Sequence, residues 1–224
     1  MKKLTVILLA GIFLSGCIST KKFKSIVDSK TMAAYENNSP ADLNDFIQVK
    51  VSAAVLEQFS ETKIEQASSY FIPAIFYWGI KNSFNCSLQN HFMLNTFKNT
   101  LRVKAHEYNA KQFFPDRTLE IEIEKLPLQF TYMYYENVIF YIYGASTVSN
   151  QYIQMRDDSK MIVNYRIWKD NKIQKAETLT INFNTGAASS LYSAKKLVNL
   201  FLDNLTADYN FAAEWIIDRI IEDL

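Results

Sequence analysis

An alternation of apolar and polar residues is the clearest pattern in the middle of the chain. It occurs over residues 47–51, 119–124 and 161–167, and a return segment over residues 173–183 follows a turn at Asp170-Asn171. Successive side chains of a β-strand point to opposite faces, so each alternation predicts a strand with one buried face.

Two denser apolar segments predict further strands. Residues 70–78 contain Pro73, which favours an edge or irregular strand because proline cannot donate a backbone hydrogen bond. Residues 128–134 predict a strand that turns at residues 136–137 and returns over residues 138–143. The return segment is apolar on both faces, which predicts a central strand covered on both sides, followed by a polar loop.

Apolar residues recur at helical spacing over residues 86–109 and over residues 190–224. Asn85 or Ser87 is positioned to cap the first helix, and Ser193 is positioned to cap the second. The far end of the second helix carries a wider apolar stripe than packing on one sheet face requires. The surplus either belongs to the core or is buried against a partner or a second copy of the protein.

This order of elements predicts an α+β fold with two layers, in which an antiparallel meander sheet is packed by two helices. The sequence order is strand, helix, several strands and a long C-terminal helix. We expect a single α+β domain over residues 45–224, since roughly 180 residues are an ordinary size for one core. Residues 17–44 have no sustained apolar period and predict a tether ahead of that domain.

The first residues have the organisation of a secretory signal. The basic pair Lys2-Lys3 is followed by an apolar run over residues 4–14 and by the small residues Ser15-Gly16. As a helix the run is about 16 Å long, far shorter than the roughly 30 Å hydrocarbon core, so it does not span a bilayer. We expect residues 1–16 to be a signal peptide that is removed.

The segment Leu14-Ser15-Gly16-Cys17 resembles the lipobox of bacterial lipoproteins. In that family the cysteine receives a diacylglyceryl group, the peptide is cut before the cysteine, and the new amino end is often acylated. The resemblance implies a mature chain that begins at lipid-modified Cys17, held at a membrane by acyl chains such as palmitate. The alternative is an ordinary signal peptide with an incidental cysteine. Ile18, in place of aspartate, resembles lipoproteins sent to the outer membrane, which implies its periplasmic face.

The predicted body is also similar to small outer-membrane lipoproteins that assist envelope machinery. These include auxiliary lipoproteins of lipid-handling ABC transporters and the lipopolysaccharide-assembly lipoprotein. The likeness rests on the order of lipobox, tether and a strand–helix–meander–helix body. Residues 71–79 followed by Asn85-Cys86 resemble uncharacterised lipoproteins of the Bacteroidetes type. The resemblance implies a subunit with a protein partner in the envelope and brings no catalytic residues.

Composition argues against several kinds of function. Loss of Lys2-Lys3 with the signal leaves 22 basic and 23 acidic residues, and this balance gives no drive toward nucleic acid. His91 and His106 lie about 22 Å apart on one predicted helix, so they cannot share a metal or a proton. The three glycines of the mature chain are far apart, which argues against phosphate-binding loops. We therefore predict no catalytic residue, no cofactor and no metal site.

Two further groups of residues invite a chemical interpretation. Glu120, Glu122 and Glu124 share one face of a predicted strand, about 7 Å apart. They fit the solvated face of an amphipathic strand, and the alternatives are a bound cation or a basic partner. Cys86 is the only cysteine besides Cys17, and we expect a buried, unreactive thiol there.

Aromatic residues are the remaining candidates for a functional surface, because such residues dominate the energetics of protein interfaces. They also fit a core beneath the predicted helices, and the sequence leaves both interpretations open. The candidates for a partner or ligand surface are Phe76, Tyr77, Trp78, Tyr132, Tyr134, Tyr141 and Trp215.

The sequence thus predicts a membrane-anchored, non-enzymatic envelope lipoprotein that acts as a binding, scaffolding or transport-auxiliary subunit. Its expected partners are the membrane, through the anchor, and an envelope protein; a homo-oligomer is left open. The alternative is a carrier that holds a lipid or another apolar ligand in a cavity between sheet and helices. That cavity would be lined by Tyr132, Phe140 and the final helix.

Overall fold

The computed structural model describes residues 19–37, 47–58, 61–108, 112, 116–156, 159–190 and 193–222. The predicted signal peptide and Cys17 lie outside the described residues. Four helices are described: α1 (Thr20–Asn37), α2 (Ala53–Gln58), α3 (Asn90–Glu107) and α4 (Ala194–Glu222).

The strands form two sheets, here called the four-stranded and the five-stranded sheet. The four-stranded sheet has the order β1-β4-β7-β8 and the five-stranded sheet has the order β2-β3-β5-β6-β9. Among the described strands, only β1 and β4 pair in parallel, and all other neighbours are antiparallel. The strands are β1 (Ile47–Val51), β2 (Lys63–Pro73), β3 (Tyr77–Ser87), β4 (Arg117–Lys125), β5 (Gln129–Tyr141), β6 (Gly144–Met155), β7 (Lys160–Lys169), β8 (Lys172–Asn182) and β9 (Gly186–Ser189).

The α+β class predicted from the sequence is confirmed, and the single meander sheet is replaced by these two sheets. The chain leaves the four-stranded sheet after β4, forms the β5–β6 hairpin in the other sheet, and returns for β7 and β8. An alternating pattern shows that a strand has one buried face, but it does not show which strand lies beside it. The sequence pattern therefore predicted the strands of residues 47–51, 119–124 and 161–167, which share one sheet, and missed that β2, β3, β5, β6 and β9 form a second sheet.

Helix α4 lies at the centre of the core, which explains its wide apolar stripe. It packs against α1, α3 and β9, and rings of Phe130 and Phe201 lie 4.8 Å apart. Ile216, Ile217 and Ile220 are buried within this molecule. The apolar surplus near the helix end is therefore used mostly inside the domain.

Residues 20–37 form α1, so the prediction of a tether is wrong over this segment. Phe23, Val27 and Thr31 lie on one side of the helix and are fully buried. The ring of Phe23 lies 4.6 Å from that of Tyr132 and 5.6 Å from that of Phe84. The buried stripe is short and partly polar, which is why the sequence pattern did not reveal it.

The predicted capping of the two long helices has a mixed outcome. Helix α3 begins at Asn90 after Gln89, which makes no side-chain capping hydrogen bond. Asn85 and Ser87 belong to β3, so their prediction as caps is wrong. Ser193 does cap α4, because its Oγ accepts a hydrogen bond from the backbone N–H of Lys196 at 3.4 Å.

The β5–β6 hairpin is longer than predicted. Strand β5 continues through the predicted turn at residues 136–137, and the turn lies at residues 142–143. The segment after it, predicted to be a polar loop, is β6. Strand β5 is the middle strand of its sheet, as predicted, but residues 138–143 are exposed or only half-buried, so the predicted cover on both faces is wrong.

The β2–β3 hairpin lies at the edge of the five-stranded sheet. Strand β2 is an edge strand with Pro73 as its last residue, as predicted. The dense apolar run around Pro73 is therefore not one strand, because it contains the end of β2, the turn and the start of β3.

Candidate binding surfaces

The β2–β3 and β5–β6 hairpins end side by side, and we call their ends, residues 71–80 and 137–148, the tip. Tyr77 pairs with Ile139, and the backbone N–H of Phe140 donates to the carbonyl oxygen of Phe76 at 2.9 Å. Apart from Gly79, every residue of the tip is exposed or half-buried. The tip is thus a four-stranded end of the sheet that lies outside the core.

The turns of the tip carry large apolar side chains in place of ordinary turn residues. Ile75 is 87% exposed in the first turn, and Ile142 and Tyr143 are 89% and 99% exposed in the second. By contrast, the β7–β8 turn uses Asp170-Asn171, both with positive φ, as a tight hairpin turn favours. Folding does not require Ile142 and Tyr143 in a two-residue turn, so these residues point to an interaction.

The tip also lacks charge. No charged residue occurs over residues 66–80 or over residues 137–155, and the nearest charges are Lys81 and Glu136. Isolated exposed apolar residues are ordinary on a protein surface, whereas a contiguous apolar patch is a mark of an interaction site.

Aromatic rings pack against one another on one face of the tip. Further along the sheet, the helices cover this same face. The ring of Trp78 lies 4.4 Å from that of Phe140 and 6.1 Å from that of Phe71, both edge-to-face. Edge-to-face pairs of this kind stabilise their own geometry beyond simple burial. The two hairpins are therefore joined at the tip by side chains as well as by backbone hydrogen bonds.

The opposite face of the same sheet carries a second aromatic group, here called the outer row: Tyr70, Lys81, Tyr135 and Tyr152. Tyr70, Lys81 and Tyr135 pair directly across β2, β3 and β5. The ammonium group of Lys81 lies 5.7 Å from the Tyr70 ring centre and 5.0 Å from that of Tyr135. Hydrogen bonding to Tyr135 raises the pKa of Lys81, so this cation stays charged.

Tyr152 completes the outer row and borders an open pocket. Its ring lies 6.0 Å from that of Tyr135. The adjoining pocket has a volume of about 480 Å³ and is lined by Met133, Tyr135, Asn137, Asn150, Tyr152 and Gln154. In the described part of the chain, the ring contacts of α1 and α4 with this sheet lie on its other face, at Phe84, Phe130 and Tyr132. The outer row is thus a sheet face with aromatic side chains open to solvent.

Four of the aromatic candidates from the sequence come together at the tip: Phe76, Tyr77, Trp78 and Tyr141. The hydroxyl of Tyr77 donates to Asn137 Oδ1 at 2.6 Å. Sequence reasoning missed Ile75 and Ile142, although the length of the charge-free runs was a signal that could have found them.

Three candidates lie elsewhere. Tyr132 is only 1% exposed and donates its hydroxyl to Gln151 Oε1 at 3.1 Å, so its assignment to a surface is wrong. Tyr134 is half-buried and donates to Glu136 Oε2 at 2.6 Å. Trp215 is partly exposed on α4, on a different element from the tip.

The three glutamates of β4 are paired within the chain. Glu120 accepts hydrogen bonds from Lys50 Nζ at 2.6 Å and from Arg166 Nη1 at 2.7 Å. The hydrogen bond from Lys50 lowers the pKa of Glu120, which is 8% exposed. Glu122 accepts from Arg166 at 3.1 Å, and Glu124 accepts from an asparagine of β7 at 2.6 Å. The expected solvated face is therefore a cross-strand ion-pair network whose basic partners belong to the protein itself.

The residues most often used in catalysis do not gather in the described part of the chain. His91 and His106 are exposed near opposite ends of α3. Cys86 is buried, and burial raises the pKa of its thiol. Among the described residues, no three histidine, cysteine, aspartate or glutamate side chains are placed to hold a metal ion.

None of the described helices combines the length of a membrane span with its high mean hydropathy. Comparison of the sequence with family models finds no match, and comparison with curated proteins finds none either. The tip and the outer row are therefore interpreted from their own chemistry.

Proposed function

We propose that this protein is a membrane-anchored, non-enzymatic lipoprotein of the bacterial envelope that acts as a binding or scaffolding subunit. Acylated Cys17 anchors it to the periplasmic face of the outer membrane. A protein partner binds the outer row. The observation that supports this most strongly is the open sheet face on which Lys81 lies between two tyrosines.

The position of α1 limits the distance between the folded domain and the membrane. The helix begins at Thr20, three residues after Cys17. Three residues span at most about 11 Å, and Phe23, one turn further, is already in the core. With two or three acyl chains the attachment is effectively permanent. The domain is therefore held against the membrane surface, where a partner in the same membrane is in reach.

The chemistry of the outer row limits the partner. Tyrosine contributes large contact areas at the centre of interfaces, and a cation held beside aromatic rings attracts an anionic group. We therefore expect the partner to present apolar side chains together with a carboxylate that binds Lys81. A transport-auxiliary role is one form of such a scaffold.

The carrier alternative is less well supported by the packing. It requires a cavity between sheet and helices lined by Tyr132 and Phe140. Tyr132 is packed against the rings of Phe23 and Phe84, so side chains fill that position. Phe140 lies eight residues further along the same strand, about 26 Å away, where it contacts Trp78.

Photo-crosslinking in living cells tests the proposal. A photoreactive phenylalanine analogue at Tyr152 is expected to give a covalent adduct with an envelope protein, and the same analogue at exposed Val103 on α3 is the control. The adduct should disappear in the Lys81→Glu background while the protein stays in the membrane fraction. Equal adducts from both positions, or an adduct insensitive to Lys81→Glu, would contradict binding at the outer row.

A further inference from the structure

We infer that the tip inserts into the headgroup region of the lipid bilayer that holds the acyl anchor. This inference rests on the anchoring part of the proposed function and assigns a second, separate surface. The tip ends in Ile75, Phe76, Ile142 and Tyr143, all of them largely exposed to solvent. These are side chains that gain from leaving water, at turns where the fold itself would accept polar residues.

The charge-free region is long enough to enter the headgroup region of the bilayer. From Ile80 to Tyr77, where β3 begins, the strand rises about 10 Å, and the turn that carries Ile75 lies beyond it. The first charges, Lys81 and Glu136, lie at the base of this region on adjacent strands. Insertion up to that base places no charge in the apolar zone.

The anchor and the tip are within reach of the same surface. Phe23 lies at most about 15 Å along the chain from Cys17, and its ring is 5.6 Å from that of Phe84 on β3. From Phe84 to Tyr77, where β3 begins, the strand extends about 24 Å, and the turn that carries Ile75 lies beyond it. The distance from Phe84 to the end of the tip is therefore greater than the largest distance at which the anchor can hold Phe84 from the membrane. A tip that points toward the membrane reaches the bilayer.

The residue types and the sheet edges set the depth of insertion. Tryptophan and tyrosine concentrate at membrane–water interfaces, and the tip contains Tyr77, Trp78, Tyr141 and Tyr143. In the described part of the chain, β2 is an edge strand and β9 pairs only with Gln151–Gln154 of β6. Both edges of the tip thus carry unpaired backbone groups, which are costly in hydrocarbon. The tip accordingly stops at interfacial depth.

Fluorescence quenching by brominated lipid tests this inference on the full lipidated protein. The protein is reconstituted into phosphatidylcholine vesicles whose acyl chains carry bromine, and it is floated on a density gradient to confirm attachment. Emission should fall relative to unbrominated vesicles, and this loss should vanish in Trp78→Phe but persist in the matched control Trp215→Phe. Paired substitutions Ile75→Asp and Ile142→Asp should abolish the quenching of Trp78 without releasing the protein. Both positions are highly exposed, so circular dichroism should show an unchanged fold.

The outcomes separate the two proposals. Floated protein whose Trp78 is not quenched would overturn insertion and leave the anchor standing. The same is true if quenching survives the two aspartates, or if Trp78 is instead shielded by a second copy that cross-links tip to tip. Protein that does not float would refute the anchor itself, on which the proposed function depends.

Discussion

Replacing Phe23 by alanine tests whether α1 belongs to the folded core or to a tether. The side chain is fully buried and packs against the neighbouring rings of Tyr132 and Phe84. Removing a buried phenylalanine costs about 3–5 kcal/mol in the free energy of unfolding. For a chain of this size each kcal/mol lowers the melting temperature by about 2–4 °C, so we expect a decrease of about 6–20 °C.

The assay is thermal and urea unfolding of the purified protein, followed by circular dichroism. The matched control is Phe76→Ala, which makes the same chemical change at a tip position that is 66% exposed. The control should unfold within about 0.5 kcal/mol of the wild type, because exposed substitutions away from special features have small effects.

A clear result would refute the reasoning. If Phe23→Ala and Phe76→Ala unfold at the same midpoint, α1 does not contribute to the core. The tether interpretation would then be restored, and the close approach of the domain to the membrane would lose its basis.

Three further outcomes follow from the ion-pair network and the buried thiol. Arg166→Ala should cost about 1–3 kcal/mol in urea unfolding, because it leaves the buried carboxylate of Glu120 with one partner fewer. Since the folded-state pKa of Glu120 is lowered from 4.5, its contribution to stability is present above pH 4.5 and is lost as the pH falls through the folded pKa. The free energy of unfolding, measured across that pH range, should therefore depend less on pH in Glu120→Gln than in the wild type. Identical pH profiles of the two proteins would contradict the pairing. Cys86, buried and with a raised pKa, should react with iodoacetamide only upon unfolding, and mass spectrometry that finds rapid labelling of the native protein would contradict its burial.

Strands were predictable where one face is buried along their whole length. In β4 the apolar residues Leu119, Ile121 and Ile123 are fully buried, and the alternation was easy to recognise. The turn at Asp170-Asn171 was equally clear, because both residues tolerate the positive φ that the turn requires.

The errors arose where distant contacts decide the structure. Only a short, partly polar stripe of α1 reaches the core, so local periodicity did not predict the helix. Glu136 and Asn137 resemble a turn but lie within β5, while the actual turn carries Ile142 and Tyr143. Apolar residues in a turn conceal the local signal that sequence reasoning uses.

The candidate surfaces were only partly predictable for a related reason. Tyr132 and Tyr141 lie on one strand and have similar sequence surroundings, yet one is in the core and the other is exposed. Tyr132 lies on the face that Phe23 covers, whereas Tyr141, nine residues on, points to the opposite face at the tip. Local sequence does not reveal where a helix from the start of the chain packs on the sheet.

Acylation of Cys17 is the central claim, because the proposed position of the tip and of the outer row at a membrane depends on it. It is tested most directly by growing cells with an alkyne-bearing fatty acid and detecting the label on the immunoprecipitated protein. We predict a labelled wild type, an unlabelled Cys17→Ala variant, and full labelling of Cys86→Ala, which removes the only other cysteine. Label that persists in Cys17→Ala, or a wild type without label, would contradict the account.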